Sequence, residues 1–89
     1  MKNYLVSLDL MKIGHDYKDL RNKLANFEAY WHCLDSTWIV KTDITPEELR
    51  NSLQLNMEND DKLLVVELAA NASWAGFGAD CSDWLTDNI

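Results

Sequence analysis

His32, Cys33, Asp35 and Ser36 stand within five residues of one another in the stretch YWHCLDSTWIV, residues 30–40, flanked by Trp31 and Trp38. Those residue types are the raw material of a nucleophile and its base, or of a metal site. Spacing argues against both. Neighbours on a β-strand point to opposite faces, so His32 and Cys33 cannot meet as a catalytic pair if the segment is extended. A structural zinc site needs about four ligands at recognisable intervals. The two His and two Cys, at positions 15, 32, 33 and 81, have no such spacing. Asp35-Ser36 reads as a turn, where both residue types are common. The four tryptophans, Trp31, Trp38, Trp74 and Trp84, are candidate stacking platforms for bases, but in a small domain they serve more often as core or interface.

The elements that would position these groups are legible from patterning. YLVSLDL, residues 4–10, is short and apolar enough for a strand, with Tyr4, Val6, Leu8 and Leu10 on one face. KIGHD follows as a loop punctuated by Gly14. Asp16 is placed to cap a helix whose apolar stripe is Tyr17, Leu20, Leu24 and Phe27. Residues 29–34 and 36–42 read as two strands joined by a tight corner at Asp35-Ser36. In DITPEELR, Thr45 at the N-cap, Pro46 at the first helical position and Glu48 at the third form a capping box. Leu49, Leu53 and Met57 give that helix its buried stripe. KLLVVELA, residues 62–69, is a near-continuous apolar strand, which suggests a central place in the sheet. NASWAGFG is irregular. DCSDWLTDN is a short C-terminal helix, with Asp80 or Ser82 as cap and Trp84 and Leu85 as anchors.

The resulting order is strand, helix, strand, strand, helix, strand, helical tail. It predicts an α+β chain with the βαββαβ pattern of the ferredoxin-like fold, one domain over residues 1–89. Both helices would cover one face of an antiparallel sheet. The other face, if open, would expose too much apolar surface, so a homodimer through that face or an edge strand is expected.

Bulk composition narrows the function classes. The chain has 89 residues, 47% hydrophobic and 26% charged, enough for one small core. No apolar run approaches the roughly 20 residues of a membrane span, and MKNYLVSLDL reads as a strand rather than a signal peptide. Two cysteines without a CxxC pattern point to reduced thiols in a cytoplasmic protein. The net charge is −7 and uneven: residues 1–42 carry six Lys/Arg and five Asp/Glu, residues 43–89 two and ten. An obvious basic stripe for nucleic acid is absent. The acidic half, with Glu47, Glu48, Glu58, Asp60 and Asp61, suits a basic protein partner. A non-catalytic acidic interaction protein, such as an inhibitor or nucleic-acid mimic, is therefore one functional expectation.

The other expectation comes from a resemblance. Leu8-Asp9 closing the first strand, Ser36-Thr37-Trp38-Ile39 entering the third, and Asn71, Trp74 and Gly76 after the last resemble pieces of the Cas2-like superfamily. That group includes CRISPR-associated Cas2 proteins, VapD-type toxins and small bacterial proteins of the "SinR family". The likeness covers about residues 4–77, with Leu8 standing where many Cas2 proteins have Tyr. It implies a ferredoxin-like homodimer of a bacterial defence or toxin-type system with at most weak metal-dependent nuclease activity. Asp9 would be the catalytic residue and the ligand of a Mg²⁺ shared across the dimer, since Mg²⁺ is content with one or two carboxylates plus water and phosphate. Lys12, Lys18 and Arg21 would contact nucleic-acid phosphates. The balance of the sequence leans towards no enzymatic activity.

Overall fold

The computed structural model describes residues 1–12 and 14–89. Its elements are β1 (Lys2–Asp9), α1 (Lys18–Ala25), β2 (Ala29–Leu34), β3 (Thr37–Thr42), α2 (Pro46–Gln54), β4 (Lys62–Glu67) and α3 (Ala79–Asn88). The four strands form one antiparallel sheet in the order β2-β3-β1-β4. The chain is thus α+β, with a four-stranded antiparallel sheet and three helices among the described residues. The expected loop over residues 12–16 includes Ile13, which lies outside the described residues; Gly14 within it has φ +82°, a conformation open to glycine at little cost.

Strand alternation sorts the sheet into two faces. Tyr4, Val6 and Leu8 of β1, with Trp38 and Val40 of β3, are buried together with Leu20 and Leu24 of α1 and Leu49 and Leu53 of α2. Both helices therefore lie on this face, each through its apolar stripe. Phe27, Leu63 and Val65 pack at the margin of that core. On the opposite face, Trp31 and Ile39 are buried against Leu85 of α3, with Cys33, Leu68, Phe77, Cys81 and Trp84 around them. On the face expected to be open, α3 and the irregular segment before it cover the β2–β3 side, while Leu64 and Val66 of β4 stay exposed on the same face.

The capping box that begins α2 is complete. Thr45 Oγ1 accepts the Glu48 amide at 3.1 Å, and Glu48 Oε1 accepts the Thr45 amide at 3.0 Å. The Thr45 amide, and next its side chain, hold the Glu48 carboxyl below its ordinary value. Helix α1 begins differently from expectation. Its N-cap is Tyr17, in the left-handed region at φ 50°, with no side-chain cap. Asp16 sits one residue earlier and accepts the Lys18 amide at 3.1 Å. The strained Tyr17 backbone is offset by what its side chain gains, since it is buried and its hydroxyl is held by Asp61. Helix α3 is capped by Gly78 without any side-chain bond, so neither Asp80 nor Ser82 plays that part.

Two further corrections concern β4 and the cysteines. The strand is at the edge, paired only with β1, and ends at Glu67. Its apolar run had suggested burial on both faces. In fact Leu63 and Val65 face the helices, while Leu64 and Val66 are 57% and 43% exposed. The two cysteines are not free thiols. Cys33 on β2 and Cys81 on α3 form a disulfide with Cα atoms 6.3 Å apart. Their spacing of 48 residues hid this, because only the fold of α3 back over β2 brings them together.

Candidate functional site

Asp9 ends β1, and β1 pairs antiparallel with β3, so the end of one strand lies beside the start of the other. The Asp35-Ser36 corner leads directly into that start. The Leu8 amide donates to the Ser36 carbonyl at 2.9 Å and ties the corner to the strand end. Helix α1 contributes Leu20 and Arg21 to the same corner. The outcome is a cavity of about 270 Å³ lined by Leu8, Asp9, Leu10, Leu20, Arg21, His32, Asp35, Ser36 and Trp38.

The lining combines two carboxylates, a guanidinium, an imidazole and a hydroxyl over an apolar floor. His32 is the best-defined of these groups. Its ring stacks on the Trp38 indole with centroids 3.7 Å apart and planes 9° from parallel. Its Nε2 lies 3.0 Å from the Asp35 carbonyl oxygen. A carbonyl only accepts, so Nε2 carries the hydrogen, and in the neutral ring the lone pair is on Nδ1. An imidazole held this way can take a proton from a bound group. Arg21 supplies a planar fork suited to a phosphate or carboxylate. Asp9 and Asp35 supply hard oxygens.

The other expected site residues are dispersed. Lys12 is paired with Glu58 at 3.5 Å, and Lys18 begins α1 on the side lined by His15 and Asp16. Of the expected phosphate contacts, Arg21 alone lines the cavity with Asp9. Lys62, not among the expected phosphate contacts, lies directly across from Asp9 in the β1–β4 pairing and adds a cation at the same strand end.

The acidic set divides in two. Glu47 and Glu48 are in the first turn of α2, where carboxylates suit the helix dipole. Glu58, Asp60 and Asp61 lie beyond its other end. Asp61 is committed to structure: Oδ1 accepts the Met11 amide at 2.8 Å and the Tyr17 hydroxyl at 2.9 Å, and Oδ2 accepts the Glu58 amide at 2.8 Å. Burial pushes this carboxyl up, but those donors outweigh it and hold it below the usual value. Burial pushes the Tyr17 hydroxyl up; the Lys12 amide opposes this and Asp61 adds to it.

Among the tryptophans, Trp31 and Trp38 are core, Trp84 is half-buried and Trp74 is 36% exposed. Among the described residues no group of three or more His, Cys, Asp or Glu is placed to hold a metal ion. No helix among them is long and apolar enough to cross a membrane. The convergence of His32, Asp35 and Ser36 on Asp9 was the element missed in the sequence. The sheet order β2-β3-β1-β4 sets the first strand against the third and brings these residues to one corner. Compared with protein-family models, with curated proteins and with solved structures, the chain matches none.

Proposed function

We propose that the chain is a ferredoxin-like, Cas2-like protein that engages a phosphodiester of nucleic acid at the Asp9 cleft, with at most weak metal-dependent cleavage. One observation carries this reading: Asp9 shares a single cavity with Arg21, His32, Asp35 and Ser36. Arg21 would bind the phosphate, His32 Nδ1 would accept a proton from the attacking hydroxyl or water, and the Asp35 carbonyl would hold the ring for that transfer. The strand order β2-β3-β1-β4, with α1 and α2 on one face, supports the ferredoxin-like assignment.

A Mg²⁺ fits the donor set, because Asp9 and Asp35 offer carboxylate oxygens and this ion keeps most of its waters. Asp9 from each of two copies would complete the site in a homodimer. Bound there, the ion would polarise a phosphoryl oxygen. For that dimer, β4 offers a free strand edge and, on the part of the second face that α3 leaves open, the exposed Leu64 and Val66. A cytoplasmic defence or toxin-type setting belongs to the same reading, through the resemblance at Leu8-Asp9 and Ser36–Ile39.

The test is incubation of the protein with short RNA and DNA in Mg²⁺ or Mn²⁺ beside Asp9→Ala. Cleavage by the wild type that is lost in the variant is the expected result. Cleavage that survives it removes Asp9 from the chemistry.

A second reading, an acidic protein that binds a basic partner, is favoured by the outer side of α3. Asp80, Asp83 and Asp87 are all exposed there at helical spacing. Retention of basic proteins at low salt and their release at high salt supports it; no retention at low salt ends it.

A further inference from the structure

We propose that the Cys33–Cys81 disulfide is a redox latch: oxidised, it holds α3 over the second face of the sheet, and reduced, it lets α3 and residues 68–78 lift away. This goes beyond the Asp9 reading and does not depend on it.

Helix α3 is poorly equipped to stand alone. It has ten residues, and isolated helices shorter than about 12–15 are marginal in water. No side chain caps its start, and no basic residue occupies its last turn, where Asp87 opposes the dipole. Ser82, Asp83 and Thr86 within it are weak helix formers. The segment leading to it, residues 68–78, has no helix or strand. Leu85 is the one fully buried side chain of the helix.

Its other ties are the apolar packing of Trp84, Leu85 and Ile89 around Trp31 and Ile39, and a set of hydrogen bonds. Trp31 Nε1 donates to the Cys81 carbonyl at 3.0 Å, Lys41 Nζ to Asn88 Oδ1 at 2.8 Å, and Asn3 Nδ2 to the Asn88 carbonyl at 2.6 Å. Beside the contact, a largely apolar groove of about 450 Å³ lies open to solvent, with Leu5, Trp31 and Ile39 of the sheet and Trp74 and Phe77 of the cover in its lining. By contrast, the helix-side core of Tyr4, Val6, Leu20, Leu24, Val40, Leu49 and Leu53 is fully buried and includes no residue of α3. The βαββαβ body can therefore stay folded when the cover leaves.

Both cysteines are only half-buried, so a thiol reductant can reach them. One thiolate of a dithiol attacks a cystine sulfur and forms a mixed disulfide, expelling the other cysteine as thiolate. The second thiol of the reductant then displaces the remaining cysteine. Two electrons and two protons pass to Cys33 and Cys81, and the reductant leaves as its own cyclic disulfide.

Hydrogen exchange read by mass spectrometry tests the latch, on the oxidised protein, on the protein treated with dithiothreitol, and on the double variant Cys33→Ser, Cys81→Ser. Reduction is expected to speed exchange of the α3 amides by about 100-fold or more while β1 and β3 stay protected. The double variant should match the reduced wild type with or without dithiothreitol. Three results overturn the proposal: α3 equally protected after reduction, loss of protection throughout the sheet, or two alkylatable thiols in protein kept under oxidising conditions.

Discussion

The Tyr17 hydroxyl donates to Asp61 Oδ1 at 2.9 Å across 44 residues of sequence, and joins the strained start of α1 to the entry of β4. The Asp61 carboxyl has its folded value depressed, so its contribution to stability is full above the ordinary aspartate range near about 4 and is lost as pH falls through the folded value. Asp61→Asn should lower the urea midpoint at pH 7 and flatten the acid limb of the stability-against-pH curve. Tyr17→Phe should lower the midpoint less, since the Met11 and Glu58 amides still reach Asp61. Urea titrations between pH 2 and pH 7, about the range over which a carboxylate titrates, read both effects. An unchanged acid limb in Asp61→Asn would falsify this account.

Thr45→Ala removes the acceptor for the Glu48 amide at the start of α2. A loss of about 1 kcal/mol of stability is expected, the usual cost of an N-cap. Thermal or urea unfolding measures it. Thr45→Ser, which keeps the hydroxyl, should restore most of the loss.

In the Asp9 cleft, His32→Ala removes the proton acceptor and should lower any cleavage rate by about 100-fold or more. Lys18→Ala, whose side chain is away from the cavity, should change it little. Single-turnover assays on the same oligonucleotides compare them. Equal losses in both variants would show that general surface charge, not the cleft, governs the activity.

If two copies pair through β4, Leu64→Lys with Val66→Lys should convert the dimer to a monomer without unfolding it, because both side chains are exposed. Light scattering gives the mass and circular dichroism checks the fold. A dimer that persists in the double variant places its interface elsewhere.

Much of this architecture was readable because local signals agreed with the global pattern. Thr45-Pro46-Glu48 marked the start of α2, alternation in Tyr4, Val6 and Leu8 marked the helix-side face, and Asp35-Ser36 marked the corner. The failures share a cause: each depended on contacts distant in sequence. Asp16 was a plausible cap, but burial of Tyr17 and its bond to Asp61 moved the helix start by one residue. KLLVVE looked central because apolar content reports burial, not the number of neighbouring strands. The cysteine pairing depended on the return of α3 over β2. His32 was rightly separated from Cys33, yet its place beside Asp9 rests on the β1–β3 register.

Strand β4 sets Lys62 and Glu67 at the two ends of Leu63-Leu64-Val65-Val66, and among the described residues no strand pairs with its outer backbone edge. A run of four apolar residues on an unpaired edge is a template for pairing with another chain. The two flanking charges act as gatekeepers, since open-ended stacking in register would bring Lys62 against Lys62 and Glu67 against Glu67 in successive layers. Neutralising both would remove that repulsion and leave the edge open to further strand pairing.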